Sequence, residues 1–108
     1  MLTFLHLQSD NQMALRVEWD PAKARRNRTK HGVAFEDAQL ACEDPAHVVR
    51  FDRSEDREER WHLLGMVGGV VLLPVVHTYP DPDDQKLIHI VSARKATRHE
   101  RRSYEEDA

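Results

Sequence analysis

The sequence predicts an α+β domain, an antiparallel sheet with two helices on its N-terminal side and one on its C-terminal side, and three features carry that expectation. Asp20-Pro21 and His31-Gly32 bracket a helix. A Gly68-Gly69 pair divides two runs rich in valine and leucine, the signal of a β-hairpin. A further apolar run is then followed by KATRHERRSYEE, polar enough and free enough of breakers to be a surface helix. With 108 residues there is room for one core, and no repeat or linker divides the chain.

Residues 1–14 read as an extension, disordered or lying upstream of a natural start at Met13, which is followed at once by ALRVEWD. An ordered N-terminal strand is the alternative, since Leu2, Phe4, Leu5 and Leu7 are apolar. The single domain then spans residues 15–108. It opens with a short strand, Arg16–Trp19. In the helix Pro21–His31, the Asp20 carboxylate can cap the first-turn amides, proline suits the first position, and glycine follows the end, where cations favour the helix dipole. Its only apolar residues are Ala22 and Ala24, which leaves a wide basic face.

A second helix is expected over residues 35–43, stopped by Asp44-Pro45, with Phe35, Ala38, Leu40, Ala41 and Cys42 on its buried side. Cys42 is therefore expected to be packed. A strand over residues 47–51 and an acidic loop through Asp56 follow. The hairpin strands are residues 59–67 and 70–79. Placing Val67 opposite Val70 sets Leu64 against Leu73, Arg60 against His77 and Glu59 against Thr78. Pro74 has no amide hydrogen, so a bulge or an unpaired edge is expected there. Leu87–Ala93 forms the last strand, and residues 95–106 a helix that either packs lightly through Ala96 and Tyr104 or lies over the domain with its cations facing a groove.

The net charge of −3 hides a segregation of charge along the chain. Lys23, Arg25, Arg26, Arg28 and Lys30 form one basic block, and Arg94, Lys95, Arg98, Arg101 and Arg102 a second. Asp52, Glu55, Asp56, Glu58 and Glu59 form an acidic block between them. Such a dipolar surface can steer a polyanion such as RNA to one face and a basic protein segment to another, or both to one groove. The lone Cys42 excludes an internal disulfide and suits a reducing compartment. No apolar run reaches membrane-spanning length and no secretory signal is present, so a cytoplasmic protein is expected. The seven histidines lack any metal-binding spacing, even though His62, His77 and His89 fall on neighbouring strands, so neither metal nor cofactor is expected.

The segments WDPAKARRNRTKHGVAFEDA, DREERWHLLG and VSARKATRHERRSYE, in this order, resemble the BrnT family of bacterial type II toxin–antitoxin systems. The likeness runs from about Val17 to about Glu106, with NRTKHGVAFEDA and SARKAT its most specific parts. It implies a RelE-like fold and a small ribonuclease toxin, silenced by a BrnA-like antitoxin and reaching DNA only through that complex. The rival classes are a catalytically weak or silent module that keeps the fold and binds antitoxin or RNA, and a DNA-binding protein resting on the basic first helix alone.

Metal-free RNA cleavage must activate the ribose 2′-hydroxyl, stabilise the phosphorane and protonate the leaving oxygen. Arginine suits the second task through its paired donors, and histidine, glutamate or lysine the others. The catalytic candidates are Arg60 and His77, which the expected register juxtaposes, with Glu59 on the other face, and Arg94, Lys30 and His31, which lie in the family motifs. Lys23, Arg26, Arg98 and Arg101 are the RNA-binding candidates. Each has a plainer alternative: an Arg60–Glu59 surface ion network, a packed His77, a Lys30-His31 helix terminus and a core Trp61. The sequence departs from the family pattern at Pro80 and His89, where a basic residue is common, which removes two cations suited to phosphate.

Overall fold

The computed structural model describes residues 15–107. The expectations for residues 1–14 therefore lie outside the described residues. Eight elements follow in order: β1 (Arg16–Trp19), α1 (Pro21–His31), α2 (Phe35–Cys42), β2 (Val48–Glu55), β3 (Glu58–Val67), β4 (Val71–Thr78), β5 (Leu87–Ala93) and α3 (Arg98–Asp107). The strands form one sheet in the order β1-β5-β4-β3-β2. The fold is α+β with two helices ahead of the main sheet and one after it. The sheet is antiparallel from β2 to β5, but β1 adds in parallel to β5, from Arg16 opposite Leu87 to Trp19 opposite Ile90. It is therefore mixed rather than wholly antiparallel. The reversal is physically ordinary, because the whole α/β chain between β1 and β5 serves as the long connection that a parallel pair requires.

The α1 boundaries follow their local signals. Asp20 is extended and accepts from the Ala22 amide at 3.4 Å, and Gly32 is left-handed at φ 70°, its N–H bonded to the Arg28 carbonyl. In α2 the buried stripe is Phe35, Ala38, Ala41 and Cys42, packed on Leu63, Leu73, Val75, Ile90 and Ala93 of the sheet, whereas Leu40 points out. Burial pushes the Cys42 thiol up to about 12, with Glu43 adding to the effect, so it is inert as well as packed. Gly65 admits α2 to the sheet: a Cβ there would lie 2.0 Å from the Ala41 carbonyl oxygen.

The hairpin forms where expected but in a different register. Gly68 and Gly69 both take positive φ, 60° and 70°, and the Val70 amide closes the turn on the Val67 carbonyl at 3.1 Å. Val70 is then extruded, 70% exposed, so pairing begins with Val67 opposite Val71. Every later pair moves by one: Leu64 faces Pro74, and Trp61 faces His77. Because faces alternate along a strand, this slip puts Arg60 and His77 on opposite sides of the sheet. Pro74 pairs in register, and its carbonyl accepts from the Arg94 amide at 3.3 Å. The irregularity between β4 and β5 falls instead between Val76 and His77, where Val91 is extra: Val76 pairs with Ser92 and His77 with Ile90. The segment through Glu55, expected as a loop beyond Phe51, continues β2 after a bulge between Phe51 and Arg53.

Three residues later than expected, α3 begins at a capping box. The Glu100 amide donates to Thr97 Oγ1 at 3.2 Å and the Thr97 amide to Glu100 Oε1 at 2.9 Å. Tyr104 packs with Leu64 and Leu72, and its hydroxyl donates to Asp44 Oδ2 at 2.5 Å. The same carboxylate oxygen receives the Met66 amide at 2.8 Å. Burial works against charge on Asp44, but these donors and the Ala46 amide more than offset it and hold its carboxyl low. Asp44 thus joins the end of α2, the hairpin and α3.

Candidate active site

The basic helix is fixed to the sheet by one buried polar side chain. Asn27 donates from Nδ2 to the Ala93 carbonyl at 2.9 Å and to the Val33 carbonyl at 3.0 Å, and its Oδ1 accepts the Ala93 amide at 3.0 Å. The carboxamide thus completes the β5 edge beyond the last β1 pair, as a strand residue would. It follows Ala24 by three positions, on the same helix stripe. The sequence signal was present, a polar side chain at a core-facing position, but its partner lies 66 residues away.

Held there, α1 walls a cavity of about 410 Å³ whose lining combines Lys23, Arg26, Lys30 and His31 with Arg60, Val91 and Ser92 of the sheet. Five groups that are cationic or can become so face one space, and among the described residues no carboxylate lines it. The β5 irregularity supplies the floor, since the extra residue, Val91, and the realigned Ser92 both line it. Arg60 has its side chain 16% exposed, with a buried Nε that has no hydrogen-bond partner among the described residues and one terminal nitrogen 3.4 Å from Glu55 Oε2. Glu55 also accepts from Arg53 at 3.2 Å, so its hold on Arg60 is shared.

The structure brings Arg60, Lys30, His31, Lys23 and Arg26 together and leaves the other candidates elsewhere. His77 is 1% exposed, behind Trp61 and Tyr79, and neither ring nitrogen has a hydrogen-bond partner among the described residues. Burial pushes it down to about 4, the Val75 backbone offsetting this only in part, so it is a neutral, enclosed imidazole. Arg94 is clamped by Glu100 through two bonds of 2.8 and 2.7 Å. This pair raises the guanidinium and, with the Thr97 donors, takes the Glu100 carboxyl down to about 2. Glu59 lines a different cleft. Arg101 donates to the Val70 carbonyl at 3.1 Å, and Arg98 lies exposed on α3. At the two departures, His89 bonds Glu18 at 3.0 Å and Pro80 lies exposed just beyond β4.

His62, which the sequence suggested only for a metal reading with His77 and His89, stands two residues from Arg60 on the same face of β3 and pairs with Val76, which in turn pairs with Ser92. Burial lowers His62, while Glu100 and Asp52 raise it and Arg94 lowers it further. The two-residue spacing was a readable signal that the register expectation obscured. Among the described residues, no group of three or more His, Cys, Asp or Glu is placed to hold a metal ion.

Residues 19–100 match the family model for the ribonuclease toxin, BrnT, of type II toxin–antitoxin systems. The chain belongs to the BrnT family. The crystal structure of the Brucella abortus ribonuclease toxin, BrnT, shares the fold, with a TM-score of 0.53 and 20% identity over 79% of this chain and 100% of that one. No curated protein matches the chain. Membership of a BrnT toxin family implies an antitoxin partner. No helix among the described residues is long and apolar enough to cross a membrane.

Proposed function

We propose that this BrnT-family chain is a cytoplasmic, metal-independent endoribonuclease whose active site is the α1–sheet cavity, and that a BrnA-like antitoxin neutralises it. The observation that carries this reading is the convergence of Arg60 with Lys23, Arg26, Lys30 and His31 on a cavity that no carboxylate among the described residues lines, an arrangement suited to a polyanion. Arg60 clamps the scissile phosphate and stabilises the charge that develops on it. His31 exchanges protons with the 2′-hydroxyl or the leaving 5′-oxygen, the task for which histidine is suited near neutral pH. Lys23, Arg26 and Lys30 follow the flanking backbone. Attack by the 2′-hydroxyl breaks the phosphorus–5′-oxygen bond and leaves a 2′,3′-cyclic phosphate.

A second reading, the same fold binding RNA or antitoxin without cutting, draws support from His89 and Arg94, which are engaged internally by Glu18 and Glu100. One experiment separates the two. Purified chain is incubated with RNA in excess EDTA, beside RNA carrying a 2′-deoxy at each cut site and beside the Arg60→Ala and His31→Ala variants. The nuclease reading expects cleavage of the first substrate only, loss of activity in Arg60→Ala and a fall of roughly two to four orders of magnitude in His31→Ala. Undiminished cutting by Arg60→Ala would place the chemistry elsewhere, and RNA binding without cutting would establish the silent module.

A further inference from the structure

Arg60 and Trp61 are adjacent in β3 and point to opposite faces of the sheet, so the molecule carries a second cleft on the side away from the basic cavity. Its volume is about 540 Å³, and its lining includes Trp61, Tyr79, Pro82, Glu58 and Glu59. Phe51, Trp61 and Tyr79 form an edge-to-face row, with ring centroids 5.4 and 5.7 Å apart, that ends in Phe51, a residue 51% exposed. Arg57 of the β2–β3 turn and Pro82 and Gln85 of the β4–β5 loop also line it, and Asp56, Asp81 and Asp83 are exposed in those same two connections. Glu58, Glu59, Asp81 and Asp83 make no ion pair among the described residues, and Arg57 is the one cation in the lining.

Aromatic faces within a carboxylate rim favour a guanidinium or ammonium group and repel phosphate. We propose that this cleft docks a basic, arginine- or lysine-bearing segment of the antitoxin, with a cationic side chain stacked on Trp61 or Tyr79 and held by Glu58 and Glu59. Charge complementarity selects the occupant. The identity of that partner rests on the toxin reading above, whereas the preference of the cleft for a cationic peptide does not. Because Trp61 lies on the reverse of the strand that presents Arg60, the antitoxin is anchored outside the RNA cavity and need not compete with RNA for its first hold.

The test uses the full chain with Trp19→Phe, which leaves Trp61 as the only tryptophan of the two. Its fluorescence is titrated with a synthetic decapeptide of alternating arginine and serine, with a glutamate–serine counterpart and with single-stranded oligouridylate. The arginine peptide should shift the emission saturably and the other two should not. Glu58→Lys/Asp83→Lys should weaken the peptide by roughly tenfold and escape neutralisation by the antitoxin on co-expression, with RNA cleavage unchanged. The milder Glu58→Gln/Asp83→Asn pair, with the thermal midpoint followed by circular dichroism, guards against a folding defect and should weaken the peptide in the same direction. Unaltered peptide binding or intact neutralisation in the charge-reversed variant would overturn the proposal, as would an oligouridylate response at Trp61. A chain that cuts no RNA would defeat the nuclease reading alone, and the peptide titration would still decide the cleft.

Discussion

His77 sets how the protein responds to acid. Its imidazole is buried beside Trp61 and Tyr79 without hydrogen-bond partners among the described residues, and burial takes its pKa from 6.5 down to about 4. Above pH ~6.5 both the folded and the unfolded chain hold it neutral. As pH drops from there, the unfolded chain takes up the proton first, and stability declines until the folded state is protonated near pH ~4, by about 3 kcal/mol in all. His62, lowered by burial as well, contributes in the same direction. Phenylalanine fills a similar volume without titrating. His77→Phe should therefore flatten the loss of thermal midpoint between pH 7.5 and 5 and should cost no stability at pH 7.5. Equal acid sensitivity in the two proteins would show that other groups dominate the slope.

Among the elements, α2 depends on a single missing methyl group. Its backbone crosses β3 at Gly65, where a Cβ would meet the Ala41 carbonyl oxygen at 2.0 Å, and the neighbour is backbone that no rotamer change can move. Gly65→Ala should destabilise the fold by more than about 3 kcal/mol, beyond ordinary overpacking, read as a lower denaturant midpoint or failure to accumulate. A loss under 1 kcal/mol would mean that α2 slides with ease. The ends of α1 were legible because Asp20, Pro21 and Gly32 act within a turn of themselves. The start of α3 was missed although Thr97 and Glu100 spell a capping box, because Lys95 and Ala96 suit a helix equally well. The β3–β4 register was not legible. A two-residue turn and a turn that extrudes Val70 use the same Gly-Gly pair, and no local residue distinguishes them. That single position moved His77 out of the proposed chemistry, whereas Lys30, His31 and Arg60 each stood in the sequence as candidates, with no local signal that they meet.

Across the whole molecule, the charge that sums to −3 is sorted into a cationic cavity bounded by α1 and an acidic, aromatic cleft on the reverse. RNA binding should consequently be steep in salt although the protein is acidic overall. If roughly four phosphates are neutralised, log K should fall against log salt with a slope of about −3 for single-stranded RNA. Lys23→Ala and Arg26→Ala should each reduce that slope by a little under ~1, whereas Arg98→Ala should leave it unchanged because Arg98 lies outside the cavity. A slope near zero in filter binding, or a shallower slope in Arg98→Ala, would move the RNA path away from α1.

The Asn27 clasp also bears on the order in which the protein acquires its structure. The strands from β2 to β5 meet sequence neighbours, but Asn27 reaches Ala93 across 66 residues and β1 must find β5 across a similar span. Closing such long loops is entropically slow, so the transition state should contain the β3–β4 hairpin with α2 beginning to pack, and little of α1. Leu63→Ala should then slow refolding, with a φ-value of about 0.5 to 0.8, whereas Asn27→Ala should chiefly hasten unfolding, with φ below about 0.3. Stopped-flow measurement of both variants tests this, and a high φ at Asn27 would reverse the order. The cavity wall is thus the last part to seat, and a nascent molecule with its sheet already assembled is still without the site proposed to bind RNA.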